Sequence, residues 1–476
     1  MTEEKITHQK NVEDKKDFTK KKRSLRTIEV DEELMEDIRA LVKSKASTLL
    51  LNIIADLHPA DIADIIDHLD GDERMYIFDL LDEKLASSVL LELQSIVREA
   101  ILSTLSSDRI SKYVSLIASD DAADLVAELP PSIAEKVLQT IPREDSTGVQ
   151  KLMRYDKDTA GGIMGTEFIA VGLKDTVQQA IRKVRNFAKS KIPVHSIYVI
   201  DEEGLLVGVL SLEDLVFNHP NTKIYKIMNA EPKTVSTDVD QEQVASTFKK
   251  YDLVAIPVVD KMGKLVGRIT IDDVMDVMEE EYSEDMAKMV GSDAEELERR
   301  SPTQIALMRL PWVLTTLAIE FCAGIVIHFF DETLSRVILL ASFMPIISAI
   351  SGNTGLQSAA IIVRAMATGH VTLEKWWQPV WRQLQTTLII GSVCGFIIGM
   401  IGNIWQGKWE FGLVVGFSMF ISVNISGFVG TTVPMLSKRL GFDPAITAGP
   451  FETAFQDVVG ITIFLSLATT LLHWIA

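Results

Sequence analysis

HSIYVIDEEGLLVGVLSLEDLV, residues 195–216, returns 59 residues later as VAIPVVDKMGKLVGRITIDDVM, residues 254–275. Ile197 and Ile256, Val199 and Val258, Asp201 and Asp260, Gly204 and Gly263, Gly208 and Gly267, and Asp214 and Asp273 coincide at that one offset. Each copy reads as a strand, a tight glycine turn, a second strand and a helix opened by an acid. Each copy is also preceded by an Ile-Met-x-x-Glu segment: Ile163, Met164 and Glu167 before the first, Ile227, Met228 and Glu231 before the second.

This tandem resembles a pair of cystathionine-β-synthase-type (CBS) domains, and the resemblance implies an α+β pair over residues 146–275. Upstream, residues 32–145 read as one short amphipathic helix after another, with apolar residues three and four apart and breaks at LHPAD, LDGDE, SSDR and LPPS. LHPADIADIIDHL at 57–69 recurs as IASDDAADLVAEL at 117–129. Helical repeats of this kind stack because no single unit buries its own apolar face, so an α-superhelical domain is expected. The second copy sets Asp120, Asp121 and Asp124 on neighbouring turns.

Charge divides the 476 residues sharply. Residues 303–476 hold eight acids and eight bases, so the whole formal charge of −19 falls on residues 1–302. Residues 1–27 run basic, with nine bases against five acids, which leaves −23 on residues 28–302. A body so acidic repels nucleic acid and anionic headgroups and concentrates cations. Residues 1–31 are expected to form a disordered, solvated tail with no secretory signal, since no apolar stretch follows its bases. The two cysteines, Cys322 and Cys394, both fall in apolar segments and point away from a disulfide or thiolate-metal framework.

Downstream, a charged helix over residues 276–302 connects to five apolar segments near 305–330, 334–351, 383–405, 411–436 and 448–475, together an all-α transmembrane domain at 303–476. Each suffices to cross a hydrocarbon core about 30 Å thick. Arg299, Arg300 and Arg309, then Arg364, Lys375 and Arg382, then Lys438 and Arg439 all fall on one side, and Arg336 is a mild exception on the other. A multi-pass protein of the cytoplasmic membrane follows, with its N-terminus cytosolic and its C-terminus outside.

Asp457 lies deep in the last segment with no base after it. An ionised group at that depth costs roughly 2.5–3.5 kcal/mol, so it reads as an ion or proton site. FMPIISAISGNTGLQS places Pro345, Gly352, Asn353 and Gly355 in the second segment, where loosened helical bonding would free carbonyls for a hard cation. Asn424 and Glu320 are further polar residues at membrane depth; the first also reads as a helix-to-helix hydrogen bond and the second as neutral or snorkelling. Carboxylate, amide and carbonyl oxygens without a histidine or cysteine cluster suit magnesium, calcium or manganese. One carboxylate per chain suits hydrated magnesium best.

The order of parts, with P-x(6)-GNTGLQS and GFDPA-x(3)-GPFETAFQD, resembles the MgtE family of magnesium channels over nearly the whole chain after about residue 30. That resemblance implies a homodimer in the lipid bilayer with a pore on the two-fold axis. Asp457 would be the main magnesium-binding carboxylate, with Gly352, Thr453 and Asn424 around it. This chain has Leu356 where many members carry a polar residue. The resemblance also implies closure by cytosolic magnesium on Asp120 and Asp124 of the helical domain, on Asp240, Glu242, Asp252, Asp273 and Asp276, and on Glu281, Glu284 and Asp285 of the connecting helix. It further implies an adenine nucleotide (ATP) at the CBS pair, although no glycine-rich phosphate loop is present. A magnesium-selective uptake channel is therefore expected. An ion-coupled divalent-cation transporter and a membrane-anchored magnesium sensor stand as alternatives. Enzyme readings lack a nucleophile-base pair or a phosphate cradle.

Overall fold

A computed structural model describes residues 32–187, 193–289, 292, 301–371 and 373–471. The basic tail, Arg299 and Arg300 lie outside the described residues. The chain divides into two compact units that meet at Met275 and Asp276, and the helix Ile271–Met289 carries the chain from one to the other.

In the first unit, helices beginning at Ser47, Pro59, Gly71, Glu83, Ser95, Ser107, Ser119, Pro131 and Arg143 start at a constant interval of 12 residues. The 60-residue repeat in the sequence is five of these steps. Ile62, Ala63, Ile65 and Ile66 are buried on the helix Pro59–Asp67, and Ala122, Ala123, Leu125 and Val126 on the helix Ser119–Ala127. Helices two steps apart pack side by side. Ion pairs tie residues about two and a half steps apart, as in Arg98–Glu128 at 2.6 Å and Lys112–Glu83 at 2.8 Å. Polar side chains cap three of these helix starts, His58, Asp82 and Ser106, with Asp82 accepting from Leu85 N at 2.8 Å.

The CBS pair forms two three-stranded sheets. β1 (Ile169–Gly172) runs parallel to β2 (Ile197–Ile200), which pairs antiparallel with β3 (Leu206–Leu210). β4 (Val235–Ser236), β5 (Ala255–Val259) and β6 (Leu265–Thr270) repeat that order. Gly204 and Gly263 make the turns at φ +84° and +81°, a region other residues rarely adopt. The two turns pair with each other, Leu206 N donating to Gly263 O and Leu265 N to Gly204 O.

The Ile-Met-x-x-Glu segments are exchanged between the copies. Gly165 pairs with Arg268 on β6, and Asn229 pairs with Val209 on β3. Close approach requires the strand glycines: a Cβ on Gly267 would stand 2.6 Å from Met164 Sδ, and one on Gly208 2.7 Å from Met228 Sδ.

Among the described residues, the second unit has five helices long and apolar enough to span a membrane: Pro302–Phe329, Leu340–Ala367, Trp377–Gln406, Trp409–Leu440 and Pro444–Thr470, the last including a short opening turn. The second differs from expectation. It begins later and holds the whole GNTGLQS motif in one 28-residue helix that runs through Pro345. The expected loosening at Gly352 and Gly355 is therefore not seen; small residues here serve contact instead. Gly430 packs directly on the Gly355 carbonyl, and Ser426 Oγ donates to Ser351 O.

Gly395 lies against Gly416 and Gly399 against Gly412, so the glycine stripes join the third and fourth helices within one chain. Leu340, Phe343, Ile347, Val415, Met419, Phe464 and Leu465 form the centre of the membrane core.

Candidate functional site

The fifth spanning helix places Thr453 and Asp457 one turn apart on the face toward the second helix, which presents Ser348 and Gly352 at the same spacing. Ser348 Oγ donates a hydrogen bond to Asp457 Oδ1. A Cβ on Gly352 would stand 3.3 Å from Thr453 Cγ2 and 3.6 Å from Asp457 Oδ1, so the glycine keeps open the space beside the carboxylate. From the first spanning helix, the Glu320 carboxyl lies close enough to Asp457 for the two to interact electrostatically. Asp457 thus has polar neighbours from two other helices.

Asn424 is not among them. Its Nδ2 donates to Phe420 O at 2.7 Å, and its Oδ1 accepts from Thr387 Oγ1 at 3.2 Å on the third helix. The amide is used in helix pairing, the other place expected for it. Sequence reading also passed over Glu452, which is 1% exposed and accepts from Gln456 Nε2 at 3.1 Å while lying against Gly355. Its signal was a second acid one and a half turns before Asp457. Ser348 left no such signal, because serines at membrane depth are common helix-packing residues.

In the first unit, the start of the helix Ser119–Ala127 docks on the segment Gly165–Glu167. Thr166 N donates to Ser119 Oγ at 2.9 Å, and Ser119 Oγ donates to Glu167 Oε2 at 3.0 Å. A Cβ on Gly165 would stand 2.9 Å from Asp120 Oδ2. Burial, and then the charges of Asp273, Asp121 and Glu167, push the Asp120 carboxyl well above the usual carboxylate range.

Asp273 is also raised by burial, although its Oδ2 accepts from Thr270 N at 2.9 Å and Thr270 Oγ1 at 2.7 Å. Its cap role matches that of Asp214, which accepts from Ser211. These side chains form a half-buried like-charge cluster whose members repel one another.

The remaining expected regulatory acids are spread more widely. Asp124 is exposed one turn beyond Asp120. Asp240 caps the helix Gln241–Tyr251 by accepting from Glu242 N at 2.9 Å, while Asp252 closes its far end at φ +50°. An 11-residue helix separates those ends by about 15 Å, so Asp240 and Glu242 do not share one ion directly with Asp252.

Asp276, Glu281, Glu284 and Asp285 follow along the helix Ile271–Met289. Among the described residues no three acid, histidine or cysteine side chains converge as direct ligands of one metal. A hydrated magnesium ion does not require such convergence, because it keeps several waters between itself and the carboxylates.

Glu284 is occupied by an internal cation. Lys288 Nζ lies 2.6 Å from Glu284 Oε1 and 2.9 Å from Asp443 Oδ2, the latter at the turn before the fifth spanning helix. Burial works against its charge, yet the hydrogen bonds it donates to Asp443 and Glu284 outweigh that and hold the ammonium above its ordinary range. The neighbouring Met289 packs on Ala359, Val363, Ala445 and Ala448, and its carbonyl lies against Gly449.

An acidic helical repeat, a CBS pair and a helical unit with a braced carboxylate among helices long enough to span a membrane make up the described residues. Residues 344–467 match the family described as divalent cation transporter (MgtE), residues 57–158 the MgtE intracellular N domain, and residues 160–219 and 224–280 the CBS domain. The magnesium transporter MgtE of Thermus thermophilus is 33% identical over 93% of this chain and 100% of its own length. That of Bacillus subtilis is 31% identical over 89% of this chain and 94% of its own. The crystal structure of the cytosolic domain of the Mg2+ channel MgtE in complex with ATP covers 51% of this chain and 99% of that chain, at 34% identity and a TM-score of 0.49. The chain belongs to the MgtE family of magnesium transporters, which are not enzymes.

Proposed function

We propose that this protein is a homodimeric magnesium-selective channel of the cytoplasmic membrane, with Asp457 as the carboxylate that receives the ion and cytosolic magnesium as the signal that closes it. The observation that carries the reading is Asp457 itself: a half-buried carboxylate at membrane depth, beside Gly352 and Thr453, with Ser348 fixing one oxygen. Carboxylate and hydroxyl oxygens suit a hard cation, and magnesium's reluctance to dehydrate suits a site with one main carboxylate. Five spans and the one-sided distribution of Arg309, Arg364, Lys375, Arg382, Lys438 and Arg439 support a cytosolic N-terminus and an outside C-terminus.

Closure follows from electrostatics. The Asp120, Asp121, Glu167 and Asp273 cluster costs free energy unless a cation neutralises it, so magnesium favours the docked arrangement and shifts the population toward it. Asp124, Asp240, Glu242, Asp252, Asp276, Glu281 and Asp285 would extend this counter-ion field as outer partners of hydrated ions. An adenine nucleotide at the CBS pair is the remaining part of the proposal; calorimetric titration with ATP should give saturable heat, and a flat trace would remove it.

Vesicles holding the purified protein and a magnesium dye test the pore. Flux should follow the magnesium gradient alone, and Asp457→Asn should lower it at least about tenfold, the scale of one charged contact. Intact flux in Asp457→Asn would refute the pore reading. An ion-coupled transporter is the second reading, favoured by the contact between the titratable Glu320 and Asp457. A requirement for a proton or sodium gradient in the same vesicles would establish it over the channel.

A further inference from the structure

Asp457 is held from a spanning helix other than its own. Ser348 of the second helix takes Oδ1. An unrestrained aspartate on a helix samples more than one χ1 rotamer and can turn both oxygens toward an ion. Here one oxygen is already engaged, and the wall beside it is fixed by Gly352, whose absent Cβ would stand 3.6 Å from Oδ1 and 3.3 Å from the Thr453 methyl. The carboxylate cannot swing or close around an ion without breaking these contacts.

We infer that Ser348 is a positioning residue that pins the Asp457 carboxylate, and that this rigidity sets the preference for magnesium over calcium. The inference rests on Asp457 being the carboxylate that receives the ion. Calcium takes six to eight oxygens at about 2.3–2.6 Å in flexible geometry and gains from a carboxylate that adapts and binds through both oxygens. Magnesium holds a small octahedral water shell, and a fixed acceptor oxygen can receive a hydrogen bond from that shell without displacing water. Releasing Asp457 should therefore help calcium more than magnesium. Ser348 and Gly352 lie one turn apart, as do Thr453 and Asp457, so the two helices present matched pairs and the serine cannot be replaced by a donor one residue away.

The full-length protein in vesicles, with magnesium- and calcium-sensitive dyes read in parallel, tests this. Ser348→Ala should lower the magnesium-to-calcium flux ratio about tenfold, the scale of one hydrogen bond to a charged group. Ser348→Thr, which keeps the hydroxyl, should restore the ratio to within about twofold of the parent, a rescue that a packing role alone would not produce.

An unchanged ratio in Ser348→Ala, in protein that still carries magnesium, would overturn the inference. Equal losses in Ser348→Ala and Ser348→Thr would do so too. Asp457→Asn separates this from the pore reading. Magnesium flux surviving that change refutes the pore site itself, whereas flux lost there with selectivity intact in Ser348→Ala refutes only the positioning.

Discussion

Replacing Asp120 with asparagine keeps the shape of the side chain and removes one charge from a half-buried group of four acids. Two unit charges 4 Å apart repel by about 4 kcal/mol at an effective dielectric constant near 20, which bounds the effect from above. Asp120 faces Asp273, Asp121 and Glu167, but the others retain their charges and part of their water, so a relief of about 1–3 kcal/mol is expected.

The docking of the helix Ser119–Ala127 on Gly165–Glu167 should then be firmer in the absence of magnesium, and magnesium should add less to it. Hydrogen exchange on the full-length protein at residues 119–127 and 163–168 reads this locally. In the parent, protection should rise with magnesium; in Asp120→Asn it should start high and rise little.

Acid should act in the same direction. Both Asp120 and Asp273 are raised above their unfolded values, so their contribution to stability is full below about pH 4 and is lost as pH rises through the raised native values. The magnesium increment should accordingly shrink as pH is lowered from 7.5 toward 5. Weaker protection in Asp120→Asn without magnesium, or an undiminished magnesium increment, would refute the counter-ion argument.

Two further outcomes are expected. Lys288→Met removes a partly exposed ammonium that bridges Glu284 and Asp443, an interaction worth about 1 kcal/mol, so currents at intermediate internal magnesium should rise about fivefold while Met289 keeps its seat; unchanged magnesium sensitivity would count against the bridge as a closing contact. Gly267→Ala would drive a Cβ to 2.6 Å from Met164 Sδ and 2.9 Å from the Gly165 carbonyl, and should destabilise the first unit by about 1–3 kcal/mol in a thermal melt.

Much of the architecture was legible in the chain because its causes are local. Alternating apolar residues around Gly204 and Gly263 required strands joined by turns with positive φ, and both glycines adopt it. Five long apolar runs required membrane helices, since transfer of apolar surface adds up along a segment. Asp457 stood out for the same reason, as one charge in a stretch that otherwise excludes charge. The 12-residue period of the first unit was only half visible: apolar positions vary freely among Ile, Leu, Val and Ala, and only the two copies that also shared their acids aligned.

What surrounds Asp457 was decided by tertiary structure. Ser348 lies 109 residues away in sequence, and nothing in its own neighbourhood says which face of its helix meets the fifth helix. Asn424 went the other way, its amide taken up by Thr387 across the tightly packed third and fourth helices. The exchanged Ile-Met-x-x-Glu segments and the Lys288 bridge share that origin. By itself the sequence determined the strands, the helices and the medium each segment occupies, because backbone geometry and solvent transfer act within a few residues. Only the fold decided which side chains meet, because helix rotation and close approach at Gly165, Gly352, Gly267 and Gly355 are settled between segments far apart in the chain.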